Sequence, residues 1–352
     1  MLRHFPLKWL KLVALIVISM LLVSCDFLDF AAEPFGSATA YALLFLLDGS
    51  YMAMMNSDGT LQTPIGIPGN FNPVDCARGW TWRVTTGLRG FANSPANSTY
   101  VYFADLNNNS VGVWDFMNGR FLSSIAVGNK PRGIAVTPDG STIVVSNSAS
   151  ASVSIIDTGS LQVTATVSLP AGSSPYGVAI TSDDKRAYVA NYTSPGSIFV
   201  IDLTSRTLSA TIPAGNQPIH VAMSPDGSLA YVTNFAGNTV SVVDTLTNAI
   251  TTTISGFQSP SAIATSMNGR YIYVTNVVQS GKVTVLDAST YAVATTITVG
   301  ALPVALAPTP DGRFLYVANL DSTFISQIST ETNTLLKNVP FEQGLQTLVM
   351  WQ

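Results

Sequence analysis

Beyond its first 24 residues the chain carries one histidine, His220, in the stretch QPIHVAMSPDG (217–227). An imidazole can serve as a general base, a metal ligand or a polar contact. Base catalysis needs an orienting partner or a second titrating group, and a zinc site needs three or four ligands. A second set of chemistry-bearing residues lies in GIPGNFNPVDCARGWTWRVTT (66–86), which brings Arg78, Trp80, Trp82 and Arg83 close together. Arg89, Arg132 and Tyr176 follow further along the chain. Guanidinium groups pair with carboxylates or phosphates and stack on aromatic faces. Arginines beside tryptophans therefore suit an anionic, sugar-like or aromatic ligand, or a protein partner. The same tryptophans could instead pin their loop over the fold. There is no C-x-x-C-H, no G-x-x-x-x-G-K and no EF-hand pattern, so no cofactor is expected.

Only 10% of residues are charged, while Thr, Ser, Asn and β-branched residues abound. That balance suits many short strands joined by tight turns. Arg3, Lys8 and Lys11 precede an uncharged run of 12 residues, 12–23. A spanning helix needs about 20 apolar residues, so this reads as a signal peptide rather than a membrane span. The run ends in LVSC (22–25), which resembles a bacterial lipobox. The resemblance implies cleavage after residue 24 and lipid on Cys25, hence a membrane partner and a place in the bacterial envelope. An ordinary secretory signal is the alternative. That envelope site would be the periplasmic side of the inner membrane, the outer membrane or the cell surface. Residues 25–39 read as a tether and 40–352 as the folded domain. Without residues 1–24 the chain has 13 basic and 20 acidic side chains, a net charge near −7, which disfavours nucleic acid as a partner. Cys76 then has no intrachain partner, and a buried thiol or an intermolecular bridge is expected.

One phrase recurs along the chain and fixes where the candidate residues stand. PRGIAVTPDG, PYGVAITSDD, PIHVAMSPDG, PSAIATSMNG and PVALAPTPDG open at Pro131, Pro175, Pro218, Pro260 and Pro303, at spacings of 44, 43, 42 and 43. LRGFANSPAN (88–97) is a degenerate earlier copy, and QTLVMW (346–351) is a first strand with nothing after it. Each unit continues as LAYVTN (229–234), TVSVVD (239–244) and AITTTI (249–254) do, giving four short strands. That period belongs to a propeller blade. YALLFLL (41–47), YMAMMN (51–56) and LQTPI (61–65) supply the three strands that QTLVMW lacks. The expected fold is all-β: a seven-bladed β-propeller of four-stranded blades. Its ring is closed by N- and C-terminal strands paired in one composite blade.

The phrases YVTN (231–234, 273–276), YVAN (188–191, 316–319) and PDG resemble the YVTN-type β-propeller repeats of surface-layer and lactonase-like proteins. In such propellers the first strand of each blade lines the axis. The resemblance therefore puts Arg89, Arg132, Tyr176, Ile219, Ser261, Val304 and Thr347 at the axial mouth on the top face. The following positions are Gly90, Gly133, Gly177, His220, Ala262, Ala305 and Leu348, so His220 stands where its siblings are mostly small. It is expected to fill space against a backbone carbonyl or to touch a ligand. No acid occupies the matched mouth positions, so neither catalytic nor metal-ligating residues are expected. Asp105, Asn147, Asn191, Asn234, Asn276 and Asn319 end the second strands. This ring could bind sugar or a cation, but amides there also bond their own loops. The 66–86 insertion is expected on the top face. The resulting reading is a lipid-anchored binding or protein-interaction scaffold without catalysis. The alternatives are a lactonase-like hydrolase at the channel mouth and a cell-surface structural protein.

Overall fold

The computed structural model describes strands Tyr41–Leu46, Tyr51–Met55, Ile65–Gly66 and Leu88–Asn93, residues 100–115, 120–309 and 311–340, and strand Leu345–Trp351. Between 88 and 340 the chain forms six four-stranded antiparallel sheets, each from four consecutive strands. The fourth of them runs Pro218–Met223, Leu229–Asn234, Thr239–Asp244, Ala249–Ser255. We name each sheet, or blade, by its first residue: Leu88, Pro131, Pro175, Pro218, Pro260 and Pro303. No helix occurs among the described residues.

Tyr41–Leu46 pairs with Tyr51–Met55 on one side and with Leu345–Trp351 on the other. Residues 61–64 of the strand expected at 61–65 lie outside the described residues, and Ile65–Gly66 is a strand paired to Tyr51 and Met52.

The strand ends follow from local chemistry. In the turn after Pro218–Met223, the Ser224 hydroxyl donates to Asp226 at 2.5 Å, and the Leu229 amide donates to Ser224 Oγ at 2.9 Å. Gly227 closes the turn at φ 73°, a conformation that glycine adopts without a Cβ clash. Thr137–Asp139, Thr181–Asp183 and Thr309–Asp311 repeat the hydroxyl–carboxylate bond. At the end of the third strand, Asp157, Asp202 and Asp244 accept amide and hydroxyl bonds from the residue three places on.

First strands of successive blades lie side by side. The approach is close enough that a Cβ on Gly177 would stand 2.6 Å from the Ile219 carbonyl oxygen and 2.8 Å from His220 Cα. Blade faces bury aliphatic side chains against one another: Val200 and Ile212 of one blade meet Val221, Val232 and Val243 of the next. Each such side chain contributes about 1.5–3 kcal/mol on burial. Fourth strands are outermost and alternate, as the Ala249–Ser255 pattern of exposed and half-buried residues shows.

Polar bonds cross the seams in alternating form. Between the Pro131 and Pro175 blades, the Ser146 hydroxyl bonds the Tyr176 carbonyl. Between the Pro218 and Pro260 blades, Thr233 Oγ1 donates to the Ser261 carbonyl at 2.6 Å. The seams that follow each of these use tyrosine instead. Tyr188 Oη donates to Asn248 Oδ1 at 2.6 Å, and Tyr273 Oη to Asn333 Oδ1 at 2.8 Å.

Candidate functional site

The inner rim on the top face is assembled by a repeated device. The residue leaving each second strand donates its amide to the carbonyl of the residue before the opening proline. The pairs are Ser148 to Lys130, Tyr192 to Ser174, Phe235 to Gln217, Val277 to Ser259 and Leu320 to Leu302, at 2.8–3.2 Å. Lys130, Gln217, Ser259 and Leu302 are left-handed, at φ 47–53°, a costly backbone for side-chain-bearing residues that the surrounding bonds maintain. Just past the opening residue of each first strand the pairing register slips, and such irregularities re-aim side chains. The result is two rows around the rim. Arg132, Tyr176, Ile219, Ser261 and Val304 form one, and Ser148, Tyr192, Phe235, Val277 and Leu320 the other.

Two of the expected site residues meet here. The Arg132 guanidinium lies over the Tyr176 ring, 4.3 Å from its centroid, although they belong to successive blades. Tyr176 in turn stacks on Tyr192, with centroids 4.5 Å apart and planes 22° from parallel. Arg132 Nε donates to Ser148 Oγ at 3.1 Å. Held by its face and by Nε, the guanidinium keeps its Nη edge without an acceptor among the described residues. Burial pushes the Tyr192 hydroxyl up, and the charge of Arg132 works against that shift. Tyr192 and Ser148 are not singled out by sequence reasoning. The available signal was their place, directly after the Asn that ends each second strand.

His220 lies on the next first strand, with its side chain exposed on the inner side. Its imidazole has no hydrogen-bond partner among the described residues, so the expected bond to a neighbouring carbonyl is not formed there. Its backbone amide donates to Thr233 Oγ1 at 3.3 Å. The surrounding strands desolvate the imidazolium and lower its pKa to about 4. Water reaching the exposed side works against that shift, and the direction is what governs: the ring is neutral at pH 7.

The second-strand amides donate within their own blades, while the buried Oδ1 atoms of Asn147, Asn234 and Asn319 meet no donor among the described residues. Asn147 donates to Ser152 and Ser154, and Asn234 to Thr239 and Ser241. Asn191 and Asn276 also accept the amides of Ser174 and Gln258. Asp105 accepts from Asn107 and Asn108. These bonds serve the loops. Among the described residues no group of three His, Cys, Asp or Glu could hold a metal ion.

Arg78, Trp80, Trp82 and Arg83, residues 67–86 of the insertion, and Cys25 and Cys76 lie outside the described residues. Arg89 lies in Leu88–Asn93, and only its backbone is described.

The recurrent blade and its rim have relatives. A family model described as YNCE-like beta-propeller matches residues 85–344. The chain belongs to that family. Among solved structures it is similar to hydrazine synthase from Kuenenia stuttgartiensis, with TM-score 0.67 and 21% identity over 75% of this chain and 89% of that one. It is also similar to a protein of unknown function from Desulfotomaculum acetoxidans DSM 771, with TM-score 0.70 and 14% identity over 87% and 98%. A third is a Bacteroides fragilis NCTC 9343 protein described provisionally as a 6-phosphogluconolactonase, with TM-score 0.70 and 18% identity over 91% and 100%. At such identities these likenesses carry the fold alone. No curated protein sequence matches the chain.

Proposed function

We propose that this chain is a non-catalytic binding scaffold of the bacterial envelope, taking its ligand or partner at the inner rim of the top face. The observation that carries the reading is the Arg132–Tyr176–Tyr192 stack. It presents a fixed cation and aromatic surface where first strands converge. The chemistry around it is poor in catalysts. His220 is neutral and without an orienting partner among the described residues. Asp139, Asp157, Asp202, Asp226, Asp244 and Asp287 are held low by hydroxyl and amide donors in turns, which suits them poorly to donate protons at neutral pH.

The scaffold itself we read as a closed ring of seven blades within residues 40–352. Support comes from Leu345–Trp351, which pairs with Tyr41–Leu46 and lies beside both Leu88–Asn93 and Pro303–Pro308. The charged start, the 12-residue apolar run and LVSC support removal of residues 1–24 and lipid on Cys25. The tether 25–39 would then hold the ring at a membrane. Arg78, Trp80, Trp82 and Arg83, with Arg89, are the further groups we assign to the same rim.

The test separates binding from turnover. Small molecules released from the purified chain on denaturation, identified by mass spectrometry, should be absent from Tyr176→Ala protein of equal thermal stability. Hydrolysis of glucono-δ-lactone by the wild type, abolished in His220→Ala, would sink the scaffold reading in favour of a hydrolase. Processing blocked by globomycin, with Cys25→Ser as control, tests the anchor.

A further inference from the structure

We propose that the rim binds a small organic carboxylate with an apolar body, its head on Arg132 and its body along Tyr192, Phe235 and Ile219. The inference rests on the binding reading above and names the chemistry of its ligand. Arg132 supplies the head site. Its face is occupied by Tyr176 and its Nε by Ser148, so the group is oriented before any ligand arrives. Its Nη edge meets no acceptor and no carboxylate among the described residues. An Nη edge presented in this way matches the two oxygens of a carboxylate. Lys130, exposed two residues earlier, adds positive field on the same face.

The rest of the rim changes character. After Tyr176 and Tyr192 the two rows continue as Ile219 and Phe235, then Ser261 and Val277, then Val304 and Leu320. None of these is charged, and all are half-buried. The backbone of Gly177 packs against the Ile219 carbonyl and His220 Cα, so the strands that carry Tyr176 and Ile219 run side by side there. A cation at one end of an apolar arc is the usual layout of a site for an amphiphilic anion, with a few polar groups setting orientation and apolar surface providing affinity. A hydrophilic sugar acid would satisfy Arg132 but leave Phe235 and Ile219 uncovered.

Isothermal titration of the purified full chain at pH 7 with octanoate, acetate and inorganic phosphate tests this. Octanoate should bind at least about tenfold tighter than acetate or phosphate, since each buried methylene is worth about 0.8 kcal/mol. Arg132→Gln should weaken octanoate about tenfold or more, with Arg132→Lys between. Phe235→Ser should weaken octanoate and leave acetate unchanged. Melting curves matching the wild type show that the variants fold. Equal affinity for octanoate, acetate and phosphate, or an Arg132→Gln protein that binds octanoate as the wild type does, overturns the inference. If octanoate fails while another bound molecule is still lost in Tyr176→Ala, this inference falls and the binding reading stands.

Discussion

The Thr233 hydroxyl donates to the Ser261 carbonyl at 2.6 Å across the seam between two blades, while accepting the His220 amide at 3.3 Å. One small side chain thus satisfies groups on two first strands where neither could pair through a sheet ladder. Thr233→Val keeps the shape and removes both bonds. Urea denaturation should show a loss of about 1–3 kcal/mol, the cost of leaving buried backbone groups unmet. An unchanged midpoint would mean that water replaces the hydroxyl.

The depressed pKa of His220 has a pH signature. Its folded value, about 4, lies below the ordinary unfolded value near 6.5. Protons therefore favour the unfolded chain between these values, and stability falls as pH drops from about 6.5 to about 4. His220→Gln should lose that part of the slope in melting curves. The His220 ring resonance, identified by its disappearance in the variant, should titrate below the ordinary imidazole value near 6.5.

The turn carboxylates act in a lower window. Asp226 is held below the usual range first by the Ser224 hydroxyl, then by Ser228, and Asp157 by Ser160. Their stabilisation is present above the unfolded aspartate value of about 3.9 and is lost as pH falls through the folded values. Asp226→Asn should lower the melting temperature at pH 7 and flatten its decline below about pH 4. Parallel curves for both proteins would contradict this assignment.

Ring closure is testable by removing residues 345–352. If Leu345–Trp351 seals the ring through Tyr41–Leu46, truncation bares a sheet edge. The protein should melt earlier and self-associate on light scattering. A truncated chain as stable and monomeric as the full one would refute closure.

The fold was legible because its grammar is local. Opening prolines and hydroxyl–Asp turns mark strand ends, so the fourth strand expected at 249–254 is Ala249–Ser255. Of LQTPI only Ile65 is described, in the strand Ile65–Gly66, and residues 61–64 lie outside the described residues. The rim was legible in part. Arg132 and Tyr176 follow from the repeat because each stands just after an opening proline. Tyr192 does not, because the position after the strand-ending Asn holds Ser148, Tyr192, Phe235, Val277 and Leu320 in turn, with no shared chemistry. Only folding, through the amide bond back to the residue before the proline, reveals that this position borders the rim. His220 was conspicuous as a letter, yet only the fold shows its imidazole without a hydrogen-bond partner among the described residues.

Tyr273 and Asn333 stand 85 residues after Tyr188 and Asn248, and Ser261 stands 85 after Tyr176. These two bond types recur at a two-blade spacing over the four seams from the Pro131 blade to the Pro303 blade, whereas the Lys130 amide on Asn109 Oδ1 and the Ser259 amide on Asn238 Oδ1 recur at three. Excising residues 175–217 would set Val144 where Tyr188 now meets Asn248 and leave that amide oxygen without its donor. Excising residues 175–259 would set Ser146 opposite Ser261, whose carbonyl accepts the Thr233 hydroxyl in the intact chain and would exchange one hydroxyl donor for another. As a building material these blades are interchangeable only where their seam chemistry agrees, so a chain shortened by design should tolerate loss of residues 175–259 better than loss of 175–217.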